Sequence, residues 1–394
     1  MRVLHVLPII SARAGGPVAF AVDAAEALAQ IGVESTLLST SLGNSPTAGS
    51  RRRVEPHEMP ANLDRLDLHL FDVKPPRRLA FSPSLARRLD RIVGDYDLVH
   101  VHSLWLFPQY AAQWAARSAG IPYVVSPHGA LDPYLRARGR GRKALTDALW
   151  QNRMLDDAAL LHVTTAEEGQ LIADVAPHVG RATVPVGVWV DRLRVGGDAF
   201  AFRREHLRGR EHPLVLFLGR LTFKKGVDIL IRAFAHAQRQ YPDALLAIAG
   251  PDDEGLRPSL EAIARTEGVA DRVIFTGPLY GTDRANAFAA ASIWALSSHT
   301  ENFGVAVMES LAVGLPTVVS PEVNLASVIE EDAAGVVAGL APAEFGAALA
   351  ALLGDPEGRA EMGRRARKLA ERYDWANVAP DLAAMYESAA SRAQ

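Results

Sequence analysis

Short β-branched runs alternate along this chain with Ala-, Leu- and Arg-rich stretches of helical period, the pattern of parallel α/β architecture. In the first half it predicts strands at 3–7, 33–39, 98–102, 123–126 and 160–163, with helices between them, among them 18–30 and 107–119. Residues 41–62, rich in Gly, Ser, Pro and Arg, read as a long mobile loop. Near residues 185–191 the chain leaves this first unit, and the charged, irregular stretch 192–212 suits an interdomain connection. A second series then starts afresh, with strands predicted at 214–218, 245–249, 273–276, 293–296 and 317–319. The closing stretch 374–390 is one amphipathic helix whose apolar face carries Trp375, Val378, Leu382, Met385 and Tyr386. Two α/β domains in tandem place the best ligand cleft between them, facing the carboxyl ends of both sheets.

Length and composition agree with that plan. The 394 residues are too many for one ordinary doubly wound sheet and suffice for two domains with cores of their own. With 49% hydrophobic and 22% charged residues and a formal net charge of −3, nothing global points to nucleic acid, so any basic site is local. The absence of cysteine excludes disulfides, thiolate catalysis and Cys-based zinc sites. Lysine occurs only at 74, 143, 224, 225 and 368, which makes the adjacent pair Lys224 and Lys225 conspicuous. No apolar run approaches the ~20 residues of a membrane helix. The start, residues 1–10, reads as a buried strand and not as a signal peptide, because Gly15-Gly16-Pro17 follows at once; the expected location is the cytoplasm.

Chemistry concentrates in two stretches of the second series. In 216–226 a buried strand ends at Gly219 and a helix begins near Gly226, with Arg220, Lys224 and Lys225 between. Cationic side chains beside the amides of a helix start make an anion site; the plainer reading is a solvated basic loop. In 301–309 a loop carries Glu301, Gly304 opens a helix, and Glu309 lies within that mostly apolar helix. Carboxylates in fixed geometry suit sugar and ribose hydroxyls, and the amides from Asn302 to Val305 can hold hydroxyls or phosphate oxygens. Against this, Glu301 could merely cap the helix and Glu309 could be solvated, although its apolar neighbours weaken the second alternative.

The order Gly-Arg-x-x-x-x-Lys-Gly at 219–226, then Glu-x-Phe-Gly-x-x-x-x-Glu at 301–309, resembles the retaining family 4 glycosyltransferases of the GT-B fold. Flanking phrases at 249–252, 275–277 and 312–316 match as well, and the resemblance covers nearly the whole chain. The phrases 279–281 and 323–325 are weakly similar to members that build bacterial exopolysaccharide. The resemblance implies two Rossmann-like domains across a deep cleft: an acceptor domain at 1–188, joined by a returning helix at 375–394, and a donor domain at 189–374. It implies that Arg220 and Lys225 hold the donor diphosphate and that Glu309 binds the ribose. Glu301, Asn302, Phe303, Gly304 and Val305 would grip the donor sugar, and backbone near Pro278 and Leu279 would meet the base. It casts Gly15 and Gly16 as the glycine-rich turn near phosphate and acceptor, although these residues also fit an ordinary strand-to-helix turn with Pro17 at its start. His128, in Ser126-Pro127-His128-Gly129, matches the active-site histidine that points at the donor sugar. The loop before the glycines departs from the pattern: several members place Asp or Asn in it, whereas here it reads Ile10-Ser11-Ala12-Arg13-Ala14, and Arg13 could serve an anionic acceptor.

His100 and His102 alternate on one strand and share a face. No third ligand is apparent nearby in sequence, and the resemblance implies chemistry without a bound metal or other cofactor; an acceptor wall of His102 and Trp105 suits the strand end better. The basic stretch 134–153, with Arg136, Arg138, Arg140, Arg142, Lys143 and Arg153, is either a solvated face or, as favoured here, a contact for a phosphate-bearing polyprenyl-linked acceptor or an anionic membrane. The reading is a retaining transfer of a hexose from a UDP- or GDP-sugar to a glycan or lipid-linked glycan, in cell-surface polysaccharide synthesis and peripheral to the inner membrane face. Epimerase or phosphorylase chemistry on the same fold, and a non-catalytic sugar-binding protein, are the alternatives.

Overall fold

The computed structural model describes all residues except 44–52, 56, 57, 61, 62, 137–143, 145, 393 and 394. The chain forms two compact units, Met1–Gly187 with Trp375–Gln394, and Val188–Asp374. The first contains β1 (Arg2–Val6), β2 (Glu34–Thr40), β3 (Asp67–Phe71), β4 (Leu98–His102), β5 (Tyr123–Ser126), β6 (Leu160–Val163) and β7 (Arg181–Thr183). The second contains β8 (Leu214–Leu218), β9 (Leu245–Ala249), β10 (Val273–Gly277), β11 (Ile293–Leu296), β12 (Thr317–Val319) and β13 (Gly335–Val337).

Every strand pairing in both sheets is parallel. The strand orders are β3-β2-β1-β4-β5-β6-β7 and β10-β9-β8-β11-β12-β13. Counted from its own first strand, each sheet therefore starts 3-2-1-4-5-6, the Rossmann order. The order reverses between β1 and β4 in one unit and between β8 and β11 in the other. At such a switch point the two connections leave in opposite directions, and a crevice opens beyond the carboxyl ends of the strands. The central strands β4, β5, β6 and β9 are buried at every residue, because helices cover both faces. This is why β9 reads as an unbroken apolar run, whereas β4, β5 and β6 bury His100, His102, Ser126 and His162 among theirs.

The helix Trp375–Ser391 packs on the helix Gly16–Gln30 and on β4 and β5 of the first unit. It buries Trp375, Leu382 and Tyr386 completely, each contributing roughly 1.5–3 kcal/mol by removal from water. Gly187 is required beside it: a Cβ there would fall onto the Trp375 ring.

The stretch 192–212 is not an irregular connection. It contains helices Val190–Arg194 and Ala199–His206, the latter capped by the Asp198 carboxylate accepting from the Ala201 amide at 3.0 Å. Arg203 donates to the carbonyls of Arg210, His212 and Ala290, so this segment is built into the second unit. The interruption of a helical period by Gly196-Gly197 hides two short helices. Of the predicted 41–62 loop, Ser41 and Val54 pair through their backbones at 2.8 Å, and much of the remainder lies outside the described residues.

Candidate active site

In the second unit the switch point is occupied by the two motifs. After β8, Gly219 and Arg220 lead into a 3-10 turn, Phe223–Lys225, and Gly226 then starts the helix Val227–Gln238 in the left-handed conformation at φ 59°. Only glycine serves there: a Cβ would strike the Ser297 carbonyl at the end of β11. Ser297 and Ser298 donate through their hydroxyls to the Gly226 and Lys224 carbonyls at 2.7 and 2.8 Å, tying the loop after β8 to the loop after β11.

That tie brings Lys225 onto Glu301. The two form a short ion pair, and Lys224 stands 4.0 Å from the same carboxylate oxygen. Burial pushes the Glu301 carboxyl up, but Lys225, then Lys224 and Arg220, pull it down to about 2, so it is a fixed anion. Arg220 meets Asp253 at 3.4 Å, and Glu254 accepts from the Phe223 amide at 2.9 Å. Asp253 and Glu254, which shape the cationic loop from the neighbouring strand end, were not picked out from sequence; they follow directly on the 249–252 phrase, which was.

Glu301 is held by backbone pairing with Glu322 and Asn324. Phe303 is buried, and Gly304, at φ 76°, opens the helix Val305–Ala312. Glu309 in that helix is buried and forms an ion pair with Arg284, from the helix Gly281–Ala290. Arg284 was missed; the signal was a lone arginine one turn into a helix otherwise short of charge. Pro278 is exposed and Leu279 half-exposed in the loop joining β10 to the same helix. Arg220, Lys225 and Glu301 thus converge, whereas Glu309 is engaged with Arg284.

In the first unit, β1 runs into a short 3-10 turn, Ala12–Ala14, which includes Arg13, and Gly15 at φ 81° caps the helix Gly16–Gln30. At the ends of β4 and β5, Ser103, Trp105 and His128 all hold positive φ, 64°, 66° and 52°, a costly conformation for residues with a Cβ. His128 is kept there by Gly129, whose amide donates to Glu168 at 2.7 Å. Glu168 also accepts from the Thr164 amide and hydroxyl, satisfying a buried carboxylate. Sequence reading passed over Glu168, although Thr165-Ala166-Glu167-Glu168 has the form of a capping box.

Behind His128 lies a buried cluster. His5 Nδ1 is 3.0 Å from His102 Nε2, and His102 Nδ1 is 3.1 Å from His128 Nε2. A second chain runs from Tyr386 Oη to His100 Nδ1 at 2.7 Å, from His100 Nε2 to Ser126 Oγ at 2.5 Å, and from Ser126 Oγ to His162 Nδ1 at 2.6 Å; His162 Nε2 ends it on the Val184 carbonyl at 2.8 Å. Burial drives the His5 imidazolium down to about 3 and that of His162 to about 4, and it drives His100 and His102 well below their ordinary value, with neighbouring imidazoles adding to the effect. His128 is lowered by burial, then by His162.

Two expectations change here. His102 is fully buried between His5 and His128 and cannot wall an acceptor site. A third imidazole does stand beside His100 and His102: His5, which pairs with His100 in the β1–β4 register, puts ring nitrogens of all three within 4.8 Å of one another. Both nitrogens of His100 and of His102 are already engaged in hydrogen bonds, so metal ligation would require breaking them.

Trp105 is half-buried; its Nε1 donates to Asp147 at 2.7 Å and its amide to Gln151 at 2.8 Å. Arg136, at the end of the short helix Pro133–Arg136, faces Asp147 at 3.8 Å, and Arg153 faces Asp157 at 3.3 Å. Arg138, Arg140, Arg142 and Lys143 lie outside the described residues. No helix among the described residues is long and apolar enough to cross a membrane.

Two parallel Rossmann-like units with cationic and carboxylate groups at a strand-order switch define a nucleotide-sugar type of scaffold, and comparison with known proteins makes the class specific. Residues 198–369 match the family described as glycosyl transferases group 1, and residues 15–187 match the glycosyl transferase 4-like domain. The D-inositol 3-phosphate glycosyltransferase of Xylanimonas cellulosilytica is 30% identical over 96% of this chain and 93% of its own length. That of Nocardia farcinica is 31% identical over 83% and 73%. Among solved structures, Anabaena Alr3699/HepE in complex with UDP and glucose superposes with a TM-score of 0.79 at 18% identity, covering 98% of this chain and all of that one. Sucrose-phosphate synthase from Thermosynechococcus elongatus gives 0.74 at 19% identity, with 98% of each chain covered. The chain belongs to the group 1 glycosyltransferases and has the GT-B fold. The curated relatives carry the inositol phosphate name, so the weak likeness to exopolysaccharide builders gains no support from them.

Proposed function

We propose that the protein is a retaining glycosyltransferase that moves a hexose from a nucleotide diphosphate sugar to an acceptor hydroxyl. The observation that carries this reading is the Arg220, Lys224, Lys225 and Glu301 constellation at the switch point of the second unit. In this reading Arg220 and Lys225 take the donor diphosphate and stabilise the charge that develops as it leaves. Glu301, with the backbone of Asn302, Phe303, Gly304 and Val305, holds donor-sugar hydroxyls. Its tight pairing with Lys225 suits a gripping anion better than a covalent nucleophile. Glu309 takes the ribose, with Arg284 fixing its carboxylate, and backbone near Pro278 and Leu279 meets the base. The first unit supplies Gly15, Gly16 and His128 to the reaction, and Arg13, Trp105 and Arg136 to the acceptor.

The donor is taken as a UDP-sugar first, because Alr3699/HepE binds UDP, and a GDP-sugar second. The names of the relatives favour a phosphorylated inositol as acceptor over a glycan or polyprenyl-linked glycan. The test is release of nucleotide diphosphate from each donor with inositol 3-phosphate and with lipid-linked glycan, followed by NMR of the product linkage. Acceptor-dependent release with the donor's anomeric configuration retained, undiminished by EDTA, is the expected result. An inverted anomer, or release that needs no acceptor, overturns the reading.

The basic stretch 134–153 is proposed to contact an anionic surface. The protein then sediments with acidic and not neutral vesicles, and the binding fades as salt shortens the Debye length below ~8 Å. Equal sedimentation with both vesicle types removes this part of the proposal.

A further inference from the structure

We propose that His5 and His102 are positioning residues that fix the proton of His128 on Nδ1, making His128 a hydrogen-bond donor at its open nitrogen. The kinetic part of this proposal rests on the reading that His128 faces the donor sugar; the proton assignment does not.

The assignment follows from counting protons along the chain His5–His102–His128. Each neutral imidazole has one N–H and one lone pair. Two nitrogen–nitrogen contacts link the three rings, at 3.0 and 3.1 Å, and each needs one donor and one acceptor. Only two arrangements satisfy both contacts. In one, all three protons sit on Nε2 of His128, Nε2 of His102 and Nε2 of His5. In the other, all three sit on Nδ1.

The inner end of the chain chooses between them. His5 Nε2 is buried and has no hydrogen-bond partner among the described residues. An N–H there would be an orphaned buried donor, the costlier kind of unmet polar group, whereas a lone pair is tolerated better. His5 therefore carries its proton on Nδ1 and donates it to His102 Nε2. His102 is left with its proton on Nδ1, donated to His128 Nε2. His128 is then left with Nδ1–H, on the nitrogen that no described protein group engages.

A charged ring would break the argument by donating from both sides, and burial excludes this for His5 and His102 at neutral pH. The neighbouring chain does not interfere. It is oriented independently by the Val184 carbonyl, which only accepts: His162 Nε2–H donates to it, Ser126 donates to His162, His100 donates to Ser126, and Tyr386 donates to His100. The backbone at His128 is itself held, by Gly129 on Glu168, so the ring that receives this polarity has a fixed place.

The chemistry this serves is donation to an oxygen. A donor at Nδ1 can hold a sugar hydroxyl through its lone pair; the opposite tautomer would present a lone pair and accept instead. A residue 97 positions from His102 in the chain thereby decides what the site histidine offers.

Long-range proton–nitrogen correlation spectra of the intact ¹⁵N-histidine-labelled protein at neutral pH test this directly. The expected spectrum shows Nδ1–H on His5, His102 and His128, against the Nε2–H form that free histidine favours. A His128 ring protonated on Nε2 overturns the proposal, whatever the activity. The variants His5→Asn and His5→Asp supply the second reading. Asn keeps a donor near the Nδ1 position, so the His128 tautomer persists. Asp offers His102 Nε2 only an acceptor, so His102 carries its proton there, His128 presents a lone pair at Nδ1, and kcat falls about tenfold, the loss of one hydrogen bond's contribution, while nucleotide diphosphate affinity stays constant. Persistence of a pure Nδ1–H form of His128 in the Asp variant also overturns the relay. Tautomers as expected with unchanged kinetics uphold the relay and remove the donor-sugar assignment of His128.

Discussion

Lowering the pH from about 7.5 to about 5 unfolds the first unit at room temperature, while the second unit loses far less stability. His5, His100, His102 and His162 are fully buried and neutral in the folded chain, with His5 at about 3 and His162 at about 4. In the unfolded chain the same side chains take up protons near pH 6.5. Because their folded values are depressed, the unfolded state binds more protons throughout the window from about 6.5 down to about 4, and stability falls as pH falls. Above that window the contribution is complete. Each such histidine forfeits about 2 kcal/mol between pH 7.5 and 5, so four forfeit about 8, comparable with the whole stability of a domain. Denaturant titrations at several pH values, followed by the fluorescence of Trp375 in the first unit and Trp294 in the second after replacement of the other tryptophans, check this. A Trp375 transition that does not move between pH 7.5 and 5 would show that these imidazoles are not neutral when folded.

The second large effect is at Lys225. Lys225→Met leaves the largely shielded Glu301 carboxylate without its main partner and with only Lys224, 4.0 Å away, and breaking such a pair costs up to about 3–5 kcal/mol of stability, the figure for a fully buried pair. Turnover falls as well, because the cation assigned to the leaving diphosphate is lost; removal of one such group costs about 3 kcal/mol of barrier, roughly a hundredfold. The double variant Lys225→Met with Glu301→Gln separates the two losses. It removes the stranded charge, so the melting temperature recovers, whereas turnover does not. Arg220→Ala lowers turnover similarly with little change in stability, since its partner Asp253 is at 3.4 Å and the guanidinium is partly solvated. Near-normal kcat in both Arg220→Ala and the double variant would dismiss the diphosphate assignment.

What the sequence disclosed and what it concealed divide along physical lines. Strands buried on both faces were legible: β9 is apolar throughout, and β4 and β5 keep runs of Leu, Val and Tyr although His100, His102 and Ser126 interrupt or end them. Of the edge strands, β10, with its run Val273, Ile274 and Phe275, was legible, whereas β3, β7 and β13 were not: none of those three has a fully buried residue, and β7 and β13 are three residues long. A strand with one open side needs no apolar run, so a short one can leave no mark. The motif residues Arg220, Lys225 and Glu301 were legible because they are close in sequence to the glycines that shape their loops. His5 was not, because its meeting with His100 is set by the register of β1 on β4, which residue types do not reveal. Arg284 and Asp253 were missed for the same reason: each reaches its partner from a different strand connection.

Tyr386 closes the hydrogen-bond chain that starts at Val184, yet it is 286 positions from the histidine it touches. A ribosome finishes all of the second unit before it makes the helix that holds Tyr386 and Trp375. Until then the first unit has an open seam over β4, β5 and the helix Gly16–Gln30, with His100 Nδ1 facing no donor. The usual order, in which the amino-terminal domain folds first as it emerges, is therefore expected to reverse in this chain. The second unit is contiguous and can close on itself during synthesis, whereas the first lacks its covering helix until residues 375–391 are made.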